Sequence, residues 1–385
     1  RTIILANATV ESPEIMDQDN NFESRVSVAS QRQLIWWRFT KHKLAVVSGI
    51  LLIILYLTTT FAEFFATSHP LESEAFRGLM PPQPIHFFDE GKLSPHVCAM
   101  IGTRDSYTYK KTYEPNCDEK TPVKFFTKGF EYKWLNLIPM DRHLIGVPEG
   151  YLAEEHIFML GTDILGRDMW SRIWVASRLS LSIGLVGVIL TLLFGITLGG
   201  ISGFYGGFID TIIQRIIEIV RAVPTIPLWM ALAAAMPFSW SIVQIYFSIT
   251  LIISLFAWTD LARVVRGRFL SLREEDFVTA AVLSGADEKR IIFRHVMPSL
   301  YSHIIAAVSL AIPLMIISET ALSFLGLGLQ APAISWGTLL QGTQNVQSVA
   351  LYKWLMIPAF PVVGSILLFN FLGDGLRDAA DPYSD

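Results

Sequence analysis

Apolar residues are gathered along this chain into long uncharged blocks separated by polar stretches. Leu44 to Ala62, Leu179 to Ile209, Ala222 to Thr259 and Trp354 to Gly373 carry no Asp, Glu, Lys or Arg. A membrane-crossing helix needs about 20 such residues, because the hydrocarbon core is about 30 Å thick and each residue rises 1.5 Å. The 222–259 block is too long for one crossing and is interrupted by Pro237 and Ser239-Trp240-Ser241, so it reads as two helices joined by a tight turn. Tyr301 to Ser318 is a further apolar stretch. The pattern predicts an all-α polytopic membrane protein with spans near 44–64, 180–204, 212–236, 241–262, 299–321 and 354–374. About forty polar residues precede the first block and no small-residue cleavage site follows it, so it reads as a retained span and not a leader. The sequence opens at Arg1 without Met, and a few further residues are expected ahead of it.

Composition agrees. Of 385 residues 52% are hydrophobic and 17% charged, and mean hydropathy is +0.44; soluble domains carry about 25% charge. A disordered chain and a disulfide-dense mini-domain are excluded, and a net charge of −4 gives no global pull toward nucleic acid. Arg32, Arg38, Lys41 and Lys43 crowd the first span, and Arg263, Arg266, Arg268, Arg273, Lys289, Arg290 and Arg294 fill the loop 263–297. These eleven cations face one side of a six-span chain, against Arg167, Arg172, Arg178 and Lys353 on the other. The positive-inside rule makes the richer side, and both termini, cytoplasmic. The organisation expected is a cytoplasmic segment 1–43, a first span 44–66, an exported insert 67–158, and a core 159–385 with five spans and the 263–297 loop.

The insert is polar, aromatic and punctuated by proline. Gln83 to Phe88 and Phe125-Phe126 look like short strand pieces, and Pro81-Pro82 and Pro115-Asn116 like turns, so a small, partly β subdomain is expected. Cys98 and Cys117, the chain's two cysteines, both lie there. An oxidising compartment permits a bridge between them, which would close a loop of about twenty residues and add roughly 3 kcal/mol; the alternative is two unpaired thiols.

Catalytic signatures are missing. No G-x-x-x-x-G-K-[ST], H-E-x-x-H, C-x-x-C or G-x-S-x-G occurs, so no ATP hydrolysis by this chain, no metal and no assembled nucleophile are expected. His303 reads more readily as a packing residue than as a ligand. The informative segment is Arg273 to Pro298, which reads as two short helices. Acidic residues open the first, where the helix dipole favours them; Phe277, Val278, Ala281 and Val282 repeat on one face. Gly285 can end it in a left-handed conformation, Asp287 can cap the second helix, and Pro298 suits the first turn of the next span. Such a knob is either an amphipathic loop on the membrane or a surface that docks into a partner's groove.

This loop resembles the EAA loop of inner-membrane subunits of binding-protein-dependent ABC importers. Thr279-Ala280-Ala281, then Gly285, then His295-Val296-Met297-Pro298 keep its spacing, with Thr279 in place of Glu, His295 of Ile and Met297 of Leu. Leu160 to Asp168 (LGTDILGRD), Glu319 to Gly328 (ETALSFLGLG) and Asp374 to Pro382 (DGLRDAADP) are similar to the C-type dipeptide/oligopeptide/nickel permeases, in the same order. The likeness covers 32–66 and 157–385 and leaves out the 67–156 insert. It implies the type I importer architecture, a heterodimer with a B-type permease, two ATPase subunits that hold ATP and Mg, an extracytoplasmic solute-binding protein, and a bacterial inner membrane. It implies no cofactor on this chain and makes Thr279, Ala280, Ala281 and Gly285 the ATPase-coupling residues. Peptide is the cargo implied first; oligosaccharides, opines or nickel are alternatives. A receptor-like protein sensing ligand through its insert, and a membrane enzyme, are the readings of other classes.

Within the spans, Gly195, Gly199, Gly203 and Gly207 recur every fourth residue as a smooth stripe for helix packing, or less directly for lining a pathway. Arg215, Glu218 and Arg221 sit three apart on one face and can form an ion-pair ladder or touch substrate. Pro224 and Pro227 should kink that span. Glu319, near the outer end of the fifth span, is a gate or cargo contact or a carboxylate satisfied by backbone N–H groups.

Overall fold

The computed structural model describes residues 31–107, 111–135, 137–148, 157–237 and 239–380. Most of the N-terminal segment 1–43, parts of the insert and the end of the DGLRDAADP segment lie outside the described residues.

Helix α1 (Gln31–Lys41) leads into α2 (Lys43–Thr60), which breaks at Phe61 and continues as the short α3 (Ala62–Phe65). The insert then folds as strands β1 (His86–Asp89), β2 (Lys92–Arg104), β3 (Lys111–Pro122), β4 (Lys124–Trp134) and β5 (Ile138–Gly146). They form an antiparallel β1-β2-β3 sheet and a separate β4-β5 hairpin. The piece expected at Gln83 to Phe88 is the short β1, Phe125-Phe126 belong to the longer β4, and Pro115-Asn116 lies inside β3 and not in a turn. A register shift between Cys98 and Ala99 takes up the irregularity there. Cys98 and Cys117 are joined in a disulfide across these strands.

The core follows as α4 (Met169–Tyr205), α5 (Gly207–Ala222), α6 (Thr225–Ala234), α7 (Ile242–Leu272), α8 (Asp276–Leu283), α9 (Tyr301–Phe324), α10 (Trp336–Leu340), α11 (Val346–Leu351) and α12 (Ala359–Ala380). Among the described residues five helices are long and apolar enough to cross a membrane, and six if α5 and α6 count as one broken span. Those two meet at 83°. The expected kink at Pro224 is therefore a full break, since Pro224 supplies no N–H to continue α5; Pro227 lies inside α6.

Helix ends differ from the pattern for electrostatic reasons. At 37 residues α4 is roughly 55 Å long. It begins well before residue 180, because Arg172 and Arg178 are neutralised by Asp163 and Glu63 and so belong to the helix. At the other end α7 continues through Arg263, Arg266 and Arg268, so the connecting loop begins near Arg273, not at residue 263. Its start is fixed by a capping box between Ser241 and Gln244.

Helices α4 and α7 are pressed together along three of the four predicted glycines. A Cβ on Gly195 would meet the Leu261 side chain at 2.7 Å, one on Gly199 the Ala262 carbonyl oxygen at 2.5 Å, and one on Gly203 the Arg266 carbonyl oxygen at 2.7 Å. Gly207 does not belong to the stripe: it starts α5 at φ +56° with open space around it. Gly199→Leu is accordingly expected to destabilise the chain by about 1–3 kcal/mol through overpacking against backbone. Gly267→Ala, inside α7 with nothing within 4 Å of the added carbon, should instead stabilise it by about 0.5–1 kcal/mol. Thermal unfolding of the two purified variants reads the difference, and equal melting would contradict the close α4–α7 approach.

Candidate functional site

The loop after α7 carries the sequence-derived coupling residues. Its first helix, α8, has Asp276 in the first turn and is rooted by Val278, which is buried with Leu261, Val265, Phe269, Ile291, Val296 and Leu300. Gly285 takes φ +77°, and Ala286 N–H reaches back to the Ala281 carbonyl at 3.1 Å, closing the helix as a left-handed cap. Asp287 stands at the N-terminal position of the second helical stretch but its side chain makes no capping bond. That stretch runs through Glu288–Arg290, a π-turn Ile291–Val296 and Met297–Ser299. Pro298 lies in the first turn of this last piece and not in α9 itself.

The expected one-face stripe divides. Val278 and Ala281 turn inward, Ala281 half-buried against the local core, whereas Phe277, Thr279, Ala280, Val282 and Leu283 are exposed, Leu283 to 84%. Phe293 adds a further exposed ring from the second stretch. This leaves a short, rigid, largely apolar knob on polar ground.

Two polar links that sequence reasoning missed lie below the knob, one between the spans that carry it and one from the knob to α4. Arg266 on α7 donates twice to Asp210 on α5, at 2.5 and 2.6 Å, and Ser202 of α4 donates to the same carboxylate at 2.5 Å. Tyr205, the last residue of α4, donates to Glu288 at 2.9 Å. The rule that charges near membrane depth need partners points to Asp210 and Arg266 as paired, but only the fold says with whom.

Arg215 and Glu218 pair at 2.6 Å on the exposed face of α5. Arg221 does not extend the ladder; it pairs with Asp260 of α7. Arg221 and Asp260 flank a cavity of about 480 Å³ between α4, α6, α7 and α9, lined mostly by apolar residues. Thr191 Oγ1 and Trp229 Nε1, on its wall, have no hydrogen-bond partner among the described residues.

Glu319 on α9 is fully buried and does not reach that cavity. Ser323 donates to one carboxylate oxygen at 2.7 Å and Ser180 of α4 approaches the other at 3.5 Å. Ser180 in turn accepts from the Trp336 backbone N–H at the start of α10, at 3.0 Å. Glu319 thus clamps three elements through hydroxyls, not through backbone N–H groups. Glu319→Ala should cost about 1–3 kcal/mol by stranding these hydroxyls, with Glu319→Gln much milder. Melting temperatures of both variants check this, and a Gln variant as unstable as Ala would refute the hydroxyl clamp.

The LGTDILGRD segment forms a knot at the root of the insert. Asp163 accepts from Leu165 N–H at 2.9 Å, Arg167 N–H at 3.0 Å and Arg167 Nε at 2.7 Å, and pairs with buried Arg172. Gly161 is required: at φ +75° a Cβ there would lie 2.5 Å from the Met80 carbonyl oxygen. Asp168 caps α4, accepting from Ser171 N–H at 2.8 Å, and Thr67 also donates to it, at 3.0 Å. Burial pushes the Asp168 carboxyl up from its ordinary range, against the pull of the bonds from Ser171, Thr67 and Trp170. On the insert, the hydrogen bond from Lys120, 2.7 Å away, holds the Asp89 carboxyl below its usual range.

The ligand atoms of His86, Cys98 and Cys117 lie within 4.8 Å of one another, but sulfurs joined to each other offer no thiolate to a metal.

The family described as binding-protein-dependent transport system inner membrane component matches residues 195–383, and the N-terminal TM domain of oligopeptide transport permease C matches residues 30–82. The oligopeptide transport system permease protein OppC of Bacillus subtilis is 37% identical over 254 residues, covering 66% of this chain and 77% of its own. The dipeptide transport system permease protein DppC of Alkalihalophilus pseudofirmus is 41% identical over 232 residues, covering 60% and 73%. The glutathione transport system permease protein GsiD of Pectobacterium atrosepticum is 35% identical over 253 residues, covering 66% and 77%. Strands β1 to β5 lie in the stretch between the two family matches.

Proposed function

The chain belongs to the family of binding-protein-dependent transport system inner membrane components, and from that premise we propose that it is the C-type permease of an ABC importer, forming half of the pathway for peptides. The observation that carries the reading is the α8 knob: a rigid apolar projection held on the same helices that line the cavity. In this reading a B-type permease completes the pathway, two ATPase subunits hold ATP and Mg, and a solute-binding protein delivers cargo. In this reading the chain has six spans, and the positive-inside rule supports both termini in the cytoplasm of a bacterial inner membrane and the β insert outside. Thr279, Ala280, Ala281 and Gly285 form the contact with an ATPase. Closure of the ATPases moves the knob, and Tyr205–Glu288 and Arg266–Asp210 pass that movement to α4, α5 and α7. The chain itself performs no chemistry, and cargo choice rests with the binding protein.

The names of the relatives, which speak of oligopeptide, dipeptide and glutathione transport, support peptide over sugar, opine or nickel. Deleting the chain should abolish uptake of a radiolabelled tripeptide and restoring it should return uptake. Unchanged peptide uptake, with loss of nickel, opine or oligosaccharide uptake instead, would reassign the cargo. Loss of none of these, with loss of a ligand response, would favour the receptor reading.

A further inference from the structure

The outer end of the first span and the insert meet at one place that no transport role explains. Trp134, the last residue of β4, donates its indole N–H to the Thr60 carbonyl at 3.1 Å. Its ring stacks on Phe61 with centroids 5.2 Å apart and planes 8° apart. Phe61 is not an isolated residue. It continues, at helical spacing, the exposed stripe Val47, Ile50, Ile54 and Leu57 that α2 presents outward. The β4–β5 turn therefore lies over the outward-facing side of α2, at the level where that span ends.

Apart from Asn136 the turn sequence is apolar. Leu135-Asn136-Leu137-Ile138-Pro139 carries no charge, and Leu135, Leu137 and Ile138 are exposed, Leu137 to 79%. In water such a tip has nothing to recommend it. Leu135 moreover takes φ +50°, a left-handed conformation that turns ordinarily give to Gly or Asn. An apolar side chain is thus kept where a polar or small one would suit the backbone better, and a requirement for the side chain accounts for it. Lys133, exposed beside the tip, and Trp134 are the residue types that favour a headgroup boundary.

We propose that the β4–β5 tip is a lipid-anchoring element seated in the leaflet at the C-terminal end of α2, with Leu135, Leu137 and Ile138 among the acyl chains and Trp134 at the headgroup level. The occupant is bilayer lipid, because the tip is continuous with the exposed apolar stripe of a membrane-crossing helix and bears no charge for a protein partner to read. The anchor ties the insert to the first span, so that it stays in place beside the pathway while the core moves.

The test uses the whole complex in lipid nanodiscs with a nitroxide on Leu137→Cys; the native cysteines stay bridged and unlabelled. Collision with oxygen should match that of a label at lipid-facing Ile54→Cys. Collision with the water-soluble nickel chelate NiEDDA should fall severalfold below that at exposed Ser94→Cys in the same insert. A label at Ile138→Cys repeats the measurement should the first variant misfold. A Leu137 label as open to NiEDDA as Ser94 overturns the proposal. Protection that arises only when the binding protein is added overturns it too, and makes the tip a protein-docking surface.

Discussion

Asp163→Ala is expected to destabilise the chain by about 3–5 kcal/mol, the loss typical when one partner of a buried ion pair is removed. Arg172 lies on the first turns of α4 with its side chain only 5% exposed, and Asp163 is the acid it pairs with. Among the described residues its Nε has no hydrogen-bond partner, and the attraction of Asp168 is smaller than that of Asp163. The same carboxylate holds the turn through Leu165 and Arg167 N–H, so alanine frees that backbone as well. Asp163→Asn keeps an acceptor for the turn but not the charge, and should fall between wild type and alanine. The double variant Asp163→Ala with Arg172→Met should recover part of the loss, because the stranded charge goes with the arginine. Melting of purified protein reads all four, and a double variant no better than the single one would mean that the pair is not the cause.

This knot shows how legibility divides. LGTDILGRD was visible in the sequence as a family likeness, but its physical purpose was not: Asp163 and Arg172 are close in sequence, while Met80, which Gly161 must accommodate, is some eighty positions away. The spans were legible because twenty apolar residues have few other fates. Their ends were not, since whether Arg172 or Arg266 stays in a helix depends on the partners Asp163 and Asp210 supplied by the fold. Gly195, Gly199 and Gly203 were legible as a stripe, and Gly207 misled because periodicity does not say where a helix stops. Strand lengths in the insert were lost to its prolines: Pro115 sits within a strand at an irregular stretch of pairing, which a turn-based reading cannot foresee.

Leu283→Glu and Ala280→Glu should abolish transport and cargo-stimulated ATP hydrolysis while leaving the chain inserted and assembled with its partner permease. Both side chains stand in water on α8, so a carboxylate there costs the fold little. In a partner's groove the same carboxylate is desolvated without a counter-charge, a penalty of about 3–5 kcal/mol, or more than a hundredfold in the contact. Ala281→Glu is a poorer probe, because Ala281 packs against the chain's own core and its loss of function would mix misfolding with uncoupling. Gly285→Val tests the exit from the helix: nothing obstructs the new side chain, but φ +77° opposes it by about 1–2 kcal/mol, so coupling should weaken without vanishing. Gly285→Asn, which tolerates that conformation, should retain most activity. Ser106→Glu on the insert is the control and should leave stimulation unchanged. Coupling requires a contact that differs between the two states of the ATPases, and these variants remove the contact while leaving cavity, ion pairs and insert intact. Normal transport by Leu283→Glu at normal expression would reduce the knob to an amphipathic surface loop and move the coupling contact elsewhere on the chain.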